Sequence, residues 1–199
     1  MKLKVKHQER YSRLELLLRT FLGLFYIILP HSFLFIFVVA WGVILRFLAF
    51  WIIIFTGKYP IRMFKFQVGL LRWILRVLAR FYNISDGYPA FGINGADEHT
   101  LFEVMYPEKI NRGIVLLRLF LGPIYVYLPH GFILLLRTIF VWILIFFAWW
   151  VVLFTSKYPP SIHKWVVGQV RWGYRLSVYM SYMTDKYPAF TGDELPEEV

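Results

Sequence analysis

The sequence predicts an all-α integral membrane fold: two parallel repeats, each a transmembrane helical hairpin followed by an amphipathic interfacial helix. Composition, charge and an internal register carry this. The chain has 199 residues, 59% hydrophobic, 21% aromatic and 17% charged, with a mean hydropathy of +0.57. A soluble domain carries about 45–50% apolar and about 25% charged residues, so this excess has no room in so small a core and faces something other than water. The same apolar content excludes a disordered chain. Net charge is +10, from 22 Lys+Arg against 12 Asp+Glu. In so apolar a chain that surplus points to anionic headgroups and to topology, and away from nucleic acid.

The register organises everything else. Sliding the chain by 99 residues without a gap matches about 33 of the 79 positions from 13 to 91, which reads as a tandem duplication. Arg19, Gly23, Tyr26, Pro30, His31 and Trp51 fall on Arg118, Gly122, Tyr125, Pro129, His130 and Trp150. Lys58-Tyr59-Pro60, Gly69, Arg72-Trp73 and Arg76 fall on Lys157-Tyr158-Pro159, Gly168, Arg171-Trp172 and Arg175. Asp86 and Tyr88-Pro89-Ala90-Phe91 fall on Asp185 and Tyr187-Pro188-Ala189-Phe190. Repeat 1 is expected over 1–91, an exposed acidic linker with Asp97, Glu98 and Glu103 over 92–106, repeat 2 over 107–190, and a solvated acidic tail over 191–199.

The first ten residues, MKLKVKHQER, form a basic arm, and no small-residue cleavage site follows the next apolar run, so that run reads as a retained membrane segment. From Leu14 to Phe55 the chain is apolar apart from interruptions such as Glu15, Arg19, Pro30, His31 and Arg46. This is about twice the roughly 20 residues that one crossing takes, so a hairpin is expected over about 14–57 and again over about 113–156. Pro30 lies too near the start to be the turn and is expected as a kink. The turns are placed around Ala40-Trp41-Gly42 and Arg137-Thr138.

An amphipathic helix is expected over about 60–82, because Arg62, Lys65, Gly69, Arg72, Arg76 and Arg80 share one side at 100° per residue, with Phe64, Leu71, Ile74 and Leu78 opposite. The second copy, about 159–181, repeats the stripe with Lys164, Arg171 and Arg175. A third crossing is the rival reading, but it would set Arg72 and Arg76 in hydrocarbon at a cost of several kcal/mol. The excess of Lys and Arg outside the hairpin tips places both termini on the cytoplasmic side of a multi-pass protein.

Function is less legible. The cationic set is expected to bind anionic headgroups: Arg19, Lys58, Arg62, Lys65, Arg72 and Arg76 in the first copy, and Arg118, Lys157, Lys164, Arg171 and Arg175 in the second. His31 and His130 are the ionisable motif deep in each apolar stretch. Each either satisfies backbone freed by its neighbouring proline, such as the Tyr26 carbonyl, or lines a polar pathway. Trp51, Trp73, Trp149 and Trp150 are expected as interfacial or lipid-facing anchors. Asp86 and Asp185 read as caps or turns, with an arginine of the amphipathic helix as the next partner. The chain holds no Cys, and no catalytic residue, metal site or cofactor is expected, since no Ser-His-Asp order, HExxH or glycine-rich phosphate loop stands out.

In its motifs the chain resembles a tandem-duplicated prokaryotic membrane domain of unknown function. The match rests on Arg19, Pro30, His31, Trp51, Thr56 to Pro60, Gly69, Arg72, Trp73, Arg76, Asp86 and Tyr88 to Phe91. That family runs as Thr-Gly-Arg-Tyr-Pro and Tyr-Pro-Pro-Phe; Ser156, Ala90 and Ala189 depart from it. The resemblance implies a prokaryotic plasma-membrane location and no activity. The expected function is a non-enzymatic, lipid-interacting scaffold or accessory subunit of a membrane assembly, as a homo-oligomer or with a membrane-protein partner. A small oligomeric channel or transporter lined by His31 and His130 is the alternative.

Overall fold

The computed structural model describes residues 1–196. Its elements in order are β1 (Lys2–Val5), α1 (Arg13–Thr56), α2 (Ile61–Phe81), β2 (Thr100–Glu103), α3 (Arg112–Thr155) and α4 (Pro160–Met180). Within α1 the segment Arg13–Gly23 passes through a π-helical turn, Leu24–Ile28, into Leu29–Thr56; α3 repeats this with Pro123–Tyr127. Ser12 starts α1 by accepting the Glu15 N–H on its hydroxyl at 3.3 Å, and Asn111 starts α3 by accepting from Gly113 and Ile114. The widened turns precede Pro30 and Pro129, where the helix loses a donor; the Leu29 N–H reaches back five residues to the Leu24 carbonyl. Gly57 closes α1 in the left-handed region at φ +71°, and Ser156 closes α3 at φ +58°.

The two hairpins are not formed. Each apolar stretch is one 44-residue helix, about 66 Å long, with no turn at Ala40-Trp41-Gly42 or at Arg137-Thr138. Those sites hold no proline, and Gly42 keeps helical geometry because its open side is the contact with α2: a β-carbon there would stand 3.0 Å from Leu70. A narrow seam on α1, marked by Leu16, Ile27, His31, Gly42, Ala49 and Ile53, is buried. The rest of the surface is exposed and apolar along the whole length, from Leu14 and Phe25 through Phe37 and Phe47 to Phe55. α3 shows the same from Phe120 through Phe132 and Phe146 to Phe154.

α2 runs back along α1, with Trp73 beside His31 and Gln67 donating to the Gly42 carbonyl at 2.6 Å. α4 does the same along α3, where Gln169 donates to the Thr138 hydroxyl at 2.7 Å. The long helices meet at both ends: the start of α1 lies on the end of α3, with Trp149 donating to Thr20 at 2.8 Å, and the end of α1 lies on the start of α3. The other side of α2 and α4 carries the sheet and the punctuated loops. The expected basic arm and exposed linker instead pair with each other as a two-stranded sheet. β2 lies inside 92–106 and pairs antiparallel with β1 (Lys2↔Glu103, Leu3↔Phe102, Lys4↔Leu101, Val5↔Thr100), burying Leu3, Val5 and Phe102. An alternating apolar residue in a short charged segment gives that strand its buried face.

The amphipathic helices are therefore a middle layer, with long apolar helices on one side and strands with loops on the other. Close packing is tightest at Gly69, where a β-carbon would stand 2.9 Å from the Ile93 side chain and 3.0 Å from its carbonyl oxygen. Gly69→Val is expected to lower stability by about 1–3 kcal/mol through overpacking. Thermal unfolding in detergent measures it. Gly131→Ala, where a β-carbon meets nothing within 4 Å, is the control that leaves the midpoint unchanged or slightly raised.

Candidate functional site

The sequence places most interior charge at recurring positions, and the fold shows what those positions hold. Arg19 reaches from α1 to Asp86 at 2.8 Å, to Glu15 at 3.0 Å and to the Asn83 side chain at 2.9 Å. Asp86 spends its other oxygen on the Ser12 N–H at 2.6 Å, so one carboxylate ties the α1 start to the loop after α2. Ninety-nine residues on, Arg118 reaches Asp185 at 2.9 Å and the Tyr179 carbonyl at 2.8 Å, lies 3.8 Å over the Tyr179 ring, and Asp185 accepts from the Asn111 N–H. Asp86 and Asp185 thus pair with arginines of the long helices and not with those of the amphipathic ones.

Part of the basic stripe of α2 and α4 turns inward, at Arg76, Arg80, Arg171 and Arg175. Arg76 donates to the carbonyls of Ala90 (3.1 Å), Gly95 (2.7 Å) and Gly92, and Arg80 pairs with Asp97. Arg72 donates to the Phe102 carbonyl at 2.7 Å, fastening β2 to α2. Arg175 donates to Thr191 and Asp193, while Arg171 donates to Leu3, Gly192 and Glu194, fastening β1 and the tail to α4. The acidic segment is anchored at 193 and 194, and its residues 197–199 lie outside the described ones. Arg76, Arg171 and Arg175 are buried where the sequence predicts headgroup contact, because loops rich in glycine and proline supply the free carbonyls that draw them in. Of the expected cationic set, Lys58, Arg62, Lys65, Arg72, Lys157 and Lys164 stay exposed, Arg72 with its Nε committed to the Phe102 carbonyl.

His31 and His130 are fully buried, each inside its own cluster, and the fold does not bring them together. The Trp73 indole N–H donates to His31 Nδ1 at 2.8 Å, and Phe91 stacks on the ring at 4.1 Å and 8°. Trp172 donates to His130 Nδ1 at 2.9 Å, with Phe190 stacked at 3.8 Å and 9°. A ring nitrogen that accepts an N–H carries no proton there, so both imidazoles are held with the proton excluded from Nδ1. Trp73 is thus an interior donor and not a lipid-facing anchor. The backbone freed by Pro30 is not satisfied by the imidazole: the Tyr88 hydroxyl donates to the Tyr26 carbonyl at 2.9 Å, and Tyr187 donates to Tyr125 at 2.8 Å. Sequence reasoning missed this pair, although both tyrosines recur at the 99-residue offset and that recurrence was the available signal.

On the strand side, His163 is packed between His7, at 5.0 Å between ring centroids, and Tyr158. Burial, then the neighbouring His7, lowers its pKa to about 4 from the ordinary 6.5, while burial pushes Tyr11 up to about 12. An open cleft of about 830 Å³ lies alongside, lined by Lys4, Lys6, Lys164, Asp97 and Glu98 among others, a mixture of both signs.

Residues 115–192 match a family described as Domain of unknown function (DUF4389). Comparison with curated proteins and with solved structures found no match.

Two outcomes follow from this geometry. Arg76→Gln or Arg175→Gln leaves carbonyls without donors and is expected to cost about 1–3 kcal/mol of stability, read as a lower unfolding midpoint. For His163 the folded pKa lies below the unfolded one, so the unfolded chain binds the extra proton first. Stability is complete above pH 6.5 and falls as the pH drops from 6.5 towards 4. The melting temperature is expected to fall between pH 7.5 and 5, by less in His163→Gln than in the wild type.

Proposed function

We propose that this chain is a non-enzymatic integral membrane protein of the prokaryotic plasma membrane, a lipid-interacting scaffold or accessory subunit with both termini cytoplasmic. One observation carries the reading: two 44-residue helices expose large apolar side chains along their whole length, far beyond the few hundred Å² that a soluble monomer leaves uncovered. Acyl chains are the surroundings in which that surface costs nothing. The exposed cations Lys58, Arg62, Lys65, Lys157 and Lys164 suit anionic headgroups at the edge of that surface. The interior charges support the non-enzymatic part of the reading, because they are committed to carbonyls and carboxylates of the fold. The pathway alternative needs His31 and His130 at a shared axis, whereas each is enclosed by a tryptophan and a stacked phenylalanine.

The protein is expected to resist alkaline carbonate extraction and to float with vesicles. Each exposed cation near an anionic surface contributes about 1 kcal/mol at low salt. Replacing the five by Gln is expected to weaken retention of anionic lipid and to flatten its salt dependence, as measured by lipid co-purification. Equal retention in the fivefold variant would sink the headgroup role. Ion flux through proteoliposomes between pH 5 and 8 is expected to be absent; a pH-dependent flux abolished in His31→Asn/His130→Asn would favour the channel.

A further inference from the structure

We infer that α1 and α3 lie in the plane of a single leaflet, parallel to the membrane surface, and that neither crosses the bilayer. This rests on the membrane reading above and specifies its geometry. The partner is the acyl layer of one leaflet, bounded by its headgroups.

Length gives the first argument. A helix of 44 residues is about 66 Å long, against a hydrocarbon core of about 30 Å. Holding that apolar length within the core as a crossing takes a tilt of about 60°, well outside the roughly 0–40° that spanning helices adopt. From Leu14 to Phe55 the exposed side chains of α1 are apolar apart from the single Thr20 and Ser32, so no polar stretch lets half of it leave the hydrocarbon.

Charge placement gives the second argument, independently. A crossing helix has its midpoint at the bilayer centre, remote from water. The middle of α3 is tied to the polar layer instead: the Arg137 guanidinium lies 4.3 Å over the Trp165 ring and donates to the Trp165 carbonyl. Beside Trp165, Lys164 pairs with Asp193 at 3.6 Å, and these side chains are 78% and 70% exposed. A solvated ion pair one helix away from the midpoint of α3 is incompatible with that midpoint sitting in mid-bilayer. The ends belong to the same layer: Arg118 reaches Asp185 at the start of α3, and at its end the Ser156 carbonyl accepts from the Tyr11 N–H beside exposed Lys157. Start, middle and end of the helix therefore share one polar face.

Thickness fits as well. A helix with side chains is about 10–12 Å across, which one leaflet's hydrocarbon, roughly 15 Å, accommodates. Arg137, at one of the expected hairpin turns, belongs in this arrangement to the same side as the termini.

The chain has no cysteine, so single-cysteine variants report position directly. Arg13→Cys, Lys58→Cys and Lys164→Cys mark the polar layer, and Trp41→Cys and Ile139→Cys mark the middles of the long helices. Each full-length variant is labelled with a membrane-impermeant maleimide in sealed spheroplasts and in inverted vesicles. A fluorophore on the mid-helix cysteines is then quenched by nitroxide lipids of graded depth. The expected result is labelling of positions 13, 58 and 164 from the cytoplasmic face alone, with mid-helix quenching strongest for shallow acyl-chain nitroxides. Labelling of 13 and 58 from opposite faces, or strongest quenching of 41 and 139 at the bilayer centre, would overturn the inference while leaving the membrane reading intact. Recovery of the protein in the soluble fraction would overturn both.

Discussion

The buried guanidinium is the constraint on which the rest of the structure depends. A guanidinium carries five donors and cannot shed its charge, so burial is tolerable only where several oxygens converge. Arg76 finds three carbonyls in the loop after α2, and Arg171 and Arg175 find theirs in the tail and in β1. Those segments have little regular structure of their own, and their glycines and prolines leave carbonyls unpaired. Removing a donor there would strand several acceptors at once. The strands and loops are thus held on the helices by charge-assisted hydrogen bonds as much as by apolar contact.

This anchoring explains why the long helices can expose so much. A soluble protein would wrap its amphipathic helices around the apolar ones with polar sides outward. Here α2 and α4 are used on both sides, with Trp73 and Gln67 against α1 and Arg72 and Arg76 against the loops. The exposed cations of these helices, Arg62, Lys65, Arg72 and Lys164, do not cover α1 and α3, whose outer surfaces stay apolar and exposed.

Much of this was legible in the sequence and some was not. The periodicity of Arg62 to Arg80 marks the segment that α2 occupies, Ile61–Phe81, and the 99-residue register places α4 at Pro160–Met180. Periodicity states that a helix has two faces; it does not state which one meets water. The arginine side reads as outward in the sequence because a carbonyl-lined loop as partner leaves no trace in composition. The hairpins were an inference from length under the assumption that a helix stands upright in a bilayer, and nothing at Gly42 or Arg137 breaks the helix. The tyrosine that caps the proline break was hidden by distance, since Tyr88 lies 62 residues from Tyr26. Short strands such as Lys2–Val5 offer too few residues for a pattern to stand out.

The crosswise closure of the two ends has a consequence for the order of assembly. β1 is fastened by Arg171, which is 168 residues away, and the His7 Nε2–H donates to the Tyr158 carbonyl across 151. In a chain synthesised from its N-terminus these contacts cannot close until synthesis has passed Arg171. Until then the first long helix and its strand must wait with their partners missing, so its apolar surface has to be sheltered early, before the tertiary structure that orients it exists. On the membrane reading proposed above, capture by the bilayer comes before folding and slow non-local closure follows it.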